Sequence, residues 1–191
     1  MLIIVRHGRT VANAKGLLQG RIDNPLDVQG LRQAQHIARA LGHVDVAISS
    51  PLQRALQTAE PLGLPCRVDQ RWVELDYGEW DEKPVSEITK EQWASWRSDS
   101  SFTPPGGESL QQLDTRIAEA CEELLPEAEK SNIAVFTHVS PIKSAVSWTL
   151  GAEQQISWSL NVAQAQITRI AIREGRPVLV SFNETWHLED E

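Results

Sequence analysis

Short apolar runs alternate along the chain with longer stretches in which apolar positions recur every three or four residues, a pattern of strands separated by helices. Residues 2–5 are a β-branched apolar run that leads into Arg6-His7-Gly8, so a buried strand ends there in a turn. From Asp27, suited to an N-cap, the positions Leu31, Ala34, Ile37, Ala38 and Leu41 share a helical face until Gly42 closes the segment. Val46-Ala47-Ile48 reads as a second strand. Ser49-Ser50-Pro51 after it has helix-start chemistry, with Pro51 at the first helical position, and the spacing predicts a helix to about residue 62. Ser109 with Gln112 makes a capping box, and Leu110, Leu113, Ile117, Cys121 and Leu124 follow on one face of a long helix. Residues 133–136 repeat the strand pattern, reach Thr137-His138, and precede a helix from about 141 to 150. Residues 166–173 and 178–182 flank a Glu-Gly-Arg-Pro turn and read as a closing pair of strands.

Strand alternating with helix implies an α/β fold: a three-layer sandwich with a mostly parallel central sheet and helices on both faces. Residues 77–107 break the pattern with three tryptophans, three prolines and no long helical period. They are expected to form a structured lid or shoulder on a single domain spanning 1–191. Repeats are absent, and Glu189-Asp190-Glu191 reads as a solvated tail.

Composition narrows the class. The 191 residues are 41% hydrophobic and 23% charged, enough to bury a full core. Eighteen basic against twenty-six acidic residues give a formal charge of -8, which argues against a general affinity for nucleic acid or an anionic membrane. Any anion site must therefore be local. The opening apolar run is too short for a signal-peptide core or a membrane span, and no later stretch of 18 residues is free of charge, so the expected compartment is the cytoplasm. Cys66 and Cys121 stand far apart with no metal-ligand spacing and read as buried, reduced thiols. Neither a GxxxxGK[ST] loop nor a GxSxG elbow is present.

The candidate chemistry starts at the end of the first strand, where open α/β sheets place their ligands, and Gly8 lets backbone N–H groups approach an anion. The stretch reads RHGRT. It continues through Asn13, Gly16, Gln19-Gly20, Asp23, Pro25-Leu26, Gly30 and Gln33-Ala34. It resumes at Ser49-Ser50-Pro51-Leu52, Arg54-Ala55, Gln57-Thr58-Ala59, Glu74 in ELDYGEW, Gly106-Gly107-Glu108-Ser109 and His138. In this order and near-spacing the chain resembles the histidine phosphatase superfamily, also called phosphoglycerate-mutase-like, over almost its whole length. The resemblance implies that fold, with the phosphatase branch preferred, and a phosphoric monoester hydrolase acting on a small phosphorylated metabolite.

The residues suit that chemistry on physical grounds. A phosphate ester is a dianion whose phosphorus resists attack until its equatorial oxygens are held by fixed donors and positive charge. Arg6 and Arg54 offer planar forks for those oxygens, and Asn13 adds a neutral donor. By resemblance His7 is the nucleophile, available as neutral imidazole near pH 7, and His138 faces the phosphoryl group as a donor whose pKa an adjacent dianion would raise. Glu74 is the candidate general acid and base, and the apolar Trp72 and Val73 before it would raise its pKa toward the working range. Thr10, Gly8, Gln19 and Gly20 are expected to contribute to the pocket by resemblance. Asp23, Pro25, Gly30 and Glu108 are explained by turn and cap chemistry. No cofactor or metal is called for, because the arginines and His138 supply the charge that a two-metal phosphatase takes from its ions.

Two positions depart from the family pattern. Arg9 stands where Glu or Gln is common, and is open to a second anionic group or to a surface ion pair. Val139-Ser140-Pro141 follows His138 where small residues are usual, which puts the local backbone in question and offers Ser140 as a substitute donor. The large insertion and extended tail of the cofactor-dependent mutases are short here, so water access favours hydrolysis over transfer back to substrate. A phosphoglycerate mutase remains the alternative enzyme, and a non-catalytic phosphate-binding module the alternative from another class. A homodimer stays open. Trp72, Trp80, Trp93 and Trp96 are expected to line or support the lid.

Overall fold

A computed structural model describes residues 1–188, apart from the side chain of Gln154. The acidic run 189–191, expected as a solvated tail, lies outside the described residues. Strands β1 (Leu2–Arg6), β2 (Val46–Ser49), β3 (Cys66–Val68), β4 (Ile133–Thr137), β5 (Ile167–Arg173) and β6 (Arg176–Glu184) form one sheet in the order β3-β2-β4-β1-β5-β6. The first four are parallel, and β5 and β6 close the sheet antiparallel. The helices are α1 (Val11–Ala14), α2 (Val28–Leu41), α3 (Gln53–Ala59), α4 (Lys90–Ser98), α5 (Leu110–Ala128) and α6 (Val139–Leu150).

The two-residue period of the strands sorts the core into two sides. Leu2, Ile4, Ile133 and Val135 pack with Leu113, Ile117 and Cys121 of α5 and Ile142 of α6. Ile3, Val5, Ala134 and Phe136 pack with Ile37 and Leu41 of α2 and Ala55 and Ala59 of α3. With both faces covered, β1 and β4 have no solvent side, which is why they read as unbroken apolar runs. Each fully buried Leu or Ile here contributes roughly 1.5–3 kcal/mol, so the two central strands anchor the site that hangs on their ends.

Several boundaries differ from the sequence expectation, each for a local reason. Helix α3 begins at Gln53 rather than Pro51, because Asp23 Oδ1 accepts from Gln53 N at 2.6 Å and caps the helix from another loop. It gives way to a 3-10 turn at Glu60–Leu62, where Pro61 cannot continue the α ladder. Helix α6 begins at Val139, two residues before Pro141, because its first free amides are capped by a side chain described below. The final hairpin turn is only Glu174-Gly175, both at positive φ (52° and 72°), so Arg176 and Pro177 belong to β6, an edge strand that tolerates proline. Segment 77–107 holds a helix that the sequence reading lacked, α4, with a Thr89/Gln92 capping box. Its tryptophans divide: Trp80 and Trp96 are buried core, as is Trp72 before the segment, and Trp93 is only partly buried. Both cysteines are free thiols, but Cys66 is only half-buried. Among the described residues no helix is long and apolar enough to cross a membrane.

The loop after β1 is held by a backbone-to-backbone contact with α2. A Cβ on Gly8 would lie 2.5 Å from Gly30 O, and one on Gly30 only 2.0 Å from Arg9 O. Arg9 N donates to Gln33 Oε1 at 2.9 Å and Asp27 N to Arg9 O at 2.9 Å across the same seam. We predict that Gly30→Ala lowers the unfolding free energy by about 2 kcal/mol or more, read from the urea midpoint. Gly63→Ala, which meets only open space at φ 66°, should cost about 1 kcal/mol. Equal losses at the two positions would show that the seam carries no packing constraint.

Candidate active site

The pairing of β1 with β4 in the register Arg6↔Thr137 makes the two strands end at the same level. His7 N donates to Thr137 O at 3.0 Å, and the rings of His7 and His138 lie 5.1 Å apart, centre to centre. Strand β2 ends beside them: Ser50 N donates to Phe136 O, and Ser50 Oγ lies 2.7 Å from His138 Nε2. His7 is 3% exposed and His138 is fully buried.

The chemistry of one contact fixes the state of His7. Its Nδ1 lies 2.7 Å from Gly8 O, and a carbonyl can only accept, so Nδ1 carries the proton and Nε2 keeps its lone pair. Burial, then the charges of Arg54 and Arg6, hold the His7 pKa well below the usual 6.5. Burial and the Arg54 charge do the same to His138, so both rings are neutral at pH 7. The expected rise in the His138 pKa is conditional on a phosphate dianion beside it, and against that rise stand burial and the arginine charges.

Arg6 NH1 donates to Val162 O at 2.7 Å, and Arg54 donates to Ile22 O at 2.6 Å and Gly20 O at 2.8 Å. Burial lowers the Arg6 pKa to about 10 against the pull of Glu74, and it lowers that of Arg54 as well. Both remain cations at neutral pH. Arg6 Nε, Arg54 Nε and His138 Nδ1 are buried without a hydrogen-bond partner, three orphaned nitrogens in one cluster.

Glu74 is 6% exposed, and its surroundings are polar rather than apolar. Its Oε1 accepts from Leu75 N at 2.8 Å and Ser140 N at 3.1 Å, and its Oε2 from Val139 N at 3.1 Å. The carboxylate thus caps α6, whose N-terminal dipole favours an anion there. Pro141, the third helical residue, has no N–H to satisfy, so the unusual Val-Ser-Pro sequence completes this cap. Arg116 of α5 fixes the segment from behind. It pairs with Glu108 and donates to the carbonyls of Arg71, Val73 (2.8 Å) and Glu74 (3.3 Å). Thr137 Oγ1 adds a 2.6 Å bond to Trp72 O.

These groups open onto a cleft of about 320 Å³ whose wall includes Arg6, His7, Asn13, Gln19, Gly20, Arg54 and Glu74, seven of the ten expected site residues. The other three stand behind it. Gly8 N is taken by Thr58 Oγ1 at 3.0 Å, and the Thr10 hydroxyl binds Asn13 and Gln19, so these two residues hold the wall rather than form it. His138 lies beneath His7. Asn13 Oδ1 accepts from Thr10, leaving its NH₂ as the donor for the cleft. Gly20 has φ 45°, and a Cβ there would strike Asp81 at 1.9 Å. Arg9 resolves to an ion pair with Asp27 at 2.7 Å. Sequence reasoning missed Tyr77 and Gln164 of the wall, and Arg116, whose identity among many surface arginines carries no local signal. Among the described residues no group of three or more His, Cys, Asp and Glu side chains is placed to hold a metal ion.

The lowered histidine pKa values make acid stability a test of this geometry. The unfolded chain takes up protons at about 6.5 while the native rings do not, so stability is full above that pH and falls as pH drops below it. We predict that His7→Asn removes about 1 kcal/mol from the change in unfolding free energy between pH 6.5 and 5.5, measured by urea titration. A slope identical to wild type would place the native His7 pKa at its ordinary value.

Known proteins resemble this chain over nearly its whole length. Residues 2–185 match the family model of the histidine phosphatase superfamily (branch 1). Phosphoserine phosphatase 1 of Hydrogenobacter thermophilus is 32% identical over 197 residues, 98% of this chain and 93% of that one. The probable phosphoglycerate mutase GpmB of Salmonella paratyphi C is 32% identical over 185 residues, 91% and 85% of the two chains. A crystal structure of a phosphoserine phosphatase mutant from Entamoeba histolytica in complex with phosphoserine is similar at TM-score 0.91 and 29% identity, covering 98% of both chains. A mycobacterial glucosyl-3-phosphoglycerate phosphatase with VO3 is similar at TM-score 0.88 and 28% identity, covering 96% of this chain and 98% of that one. A match that runs nearly end to end, on a sheet whose strand ends bring two histidines and two arginines together, assigns the family: this chain belongs to the histidine phosphatase superfamily.

Proposed function

We propose that His7 Nε2 attacks the phosphorus of a small phosphorylated metabolite and that water then hydrolyses the phosphohistidine. The chain is a phosphoric monoester hydrolase, in keeping with its family and its phosphatase-named relatives. The observation that carries the proposed route is the Nδ1–H···O=C lock to Gly8, which turns a basic nitrogen away from the backbone in a cleft walled by two buried arginines.

Arg6 and Arg54 hold the equatorial oxygens as charge shifts in the transition state, with the Asn13 and Gln19 amides as neutral donors. The orphaned Nε atoms of Arg6 and Arg54 support an anion here, since a bound phosphoryl group would relieve buried donors that now have no partner. Once the dianion is in place it favours the protonated form of His138, which then donates rather than repels. Glu74 protonates the leaving oxygen and, as a carboxylate, takes a proton from the attacking water. Its Oε2 accepts one N–H where Oε1 accepts two, so Oε2 has the free lone pair for this work.

The substrates are small phosphate monoesters, the broad class to which the ligands bound by the Entamoeba enzyme, phosphoserine and 3-phosphoglyceric acid, belong. Transfer back to phosphoglycerate is the second reading, favoured by the likeness to GpmB. We predict that free phosphate is released from sugar, glycerate, amino-acid and aryl phosphates without added metal and that His7→Ala removes this release. In kcat/KM, which reports phosphoryl transfer to His7 and not the later attack of water, Glu74→Gln should slow poor leaving groups by about a hundredfold and aryl phosphates much less, because only the former need the proton in that step. Isomerised phosphoglycerate in place of phosphate would favour the mutase. Silence on both readouts, with phosphate binding retained, would leave a binding module.

A further inference from the structure

A second cavity, of about 140 Å³, lies beside the phosphate cleft and shares Tyr77 and Val139 with it as a common wall. Segment 77–107, α5, α6 and the 3-10 turn Gln154–Ser159 enclose it. Its walls are aromatic: Trp93 stacks on Trp96 at 5.5 Å and 8°, and Trp158 stands edge-on to both, at 6.1 and 5.7 Å. Tyr77 meets the edge of Trp96 at 5.8 Å, and its hydroxyl lies 3.3 Å from Ser140 Oγ across the partition.

The partition is also where Glu74 sits, since its carboxylate accepts from Val139 N and Ser140 N. An alcohol oxygen protonated by Glu74 therefore leaves beside Tyr77 and Val139, the residues that line both cavities. The phosphoryl group occupies the arginine side, and the body of the alcohol has the aromatic side before it. We propose that this chamber is the leaving-group subsite and that it selects phosphate monoesters whose alcohol carries one flat, largely apolar ring. The inference rests on the hydrolytic reading above. A cavity of about this volume holds a benzene-sized ring, and a ring against tryptophan faces gains stacking that a three-carbon chain does not. Lys143 and Asp114 also reach the wall, so a polar substituent on the ring meets a partner rather than bare carbon.

The test compares 2-phenylethyl phosphate with n-propyl phosphate, whose alcohols are of similar acidity, in wild type and Trp158→Ala. Wild type should prefer the ring-bearing ester by about tenfold in kcat/KM, and the variant should lose most of that ratio. In parallel, 2-phenylethanol is titrated into the wild-type and His7→Ala proteins in the presence of inorganic phosphate, following tryptophan emission. A saturable change is expected in both. A wild-type ratio near one, or a ratio that Trp158→Ala leaves intact, would overturn the subsite. If no ester is hydrolysed, the hydrolytic reading fails by itself and the titration decides for the chamber: a saturable change supports it, a linear one removes it.

Discussion

Everything at the active site depends on the parallel pairing of β1 with β4, Arg6 opposite Thr137. That register is enforced by burial on both faces: a slip of one residue would exchange Ile3 and Val5 with Leu2 and Ile4 between two differently shaped cores. With it fixed, the first residue past each strand is a histidine, and the two rings must meet. Their arrangement needs no fitted loop, only two strands that stop together. The adjacent end of β2 then brings Ser50 to His138, and α3, which begins four residues after that strand end, carries Arg54 into the same space.

The site gathers positive charge in a protein whose formal charge is -8. Buried arginines are tolerable only with partners, and here backbone carbonyls of Val162, Ile22 and Gly20 serve, which neutralise no charge and leave the guanidinium field intact. The same economy governs Glu74. Backbone amides hold it in place rather than a cation, so it is oriented without being locked in an ion pair that proton transfer would have to break. An ion pair one step removed, between Arg116 and Glu108, helps to fix the backbone of residues 71–74.

What could be read in advance was what lies close in sequence. The strand–histidine units, the capping box at Ser109 and the Asp27 cap are local, and each stands where the sequence put it. What escaped depends on contacts between distant segments. The start of α3 is set by Asp23, thirty residues back, and that of α6 by Glu74, so neither proline marks its helix boundary. Trp72 and Val73 suggested an apolar setting for Glu74, but a side chain's neighbours on the chain are not its neighbours in space, and the amides that surround it come from α6 and from Leu75. Helix α4 lacked a period because its packing is a cluster of tryptophans rather than a continuous stripe.

The molecule thus has two halves built by different physics. The phosphate half hangs on strand ends and sheet hydrogen bonds, which permit one geometry. The other half, segment 77–107 with the turn at 154–159, is assembled from short 3-10 pieces and one nine-residue helix, joined by ring contacts and a few backbone bonds such as the Leu17–Pro84 bridge. Ring contacts have preferred angles but can re-form after a local change of tilt, whereas a strand slipped by one residue exchanges its two faces. Exchange of a tryptophan in that half can therefore reshape the chamber without moving His7 or Arg6. Because Glu74 stands at the boundary, held by α6 on one side and Arg116 on the other, the proposed route would assign proton delivery to the rigid half and choice of the alcohol to the adaptable one.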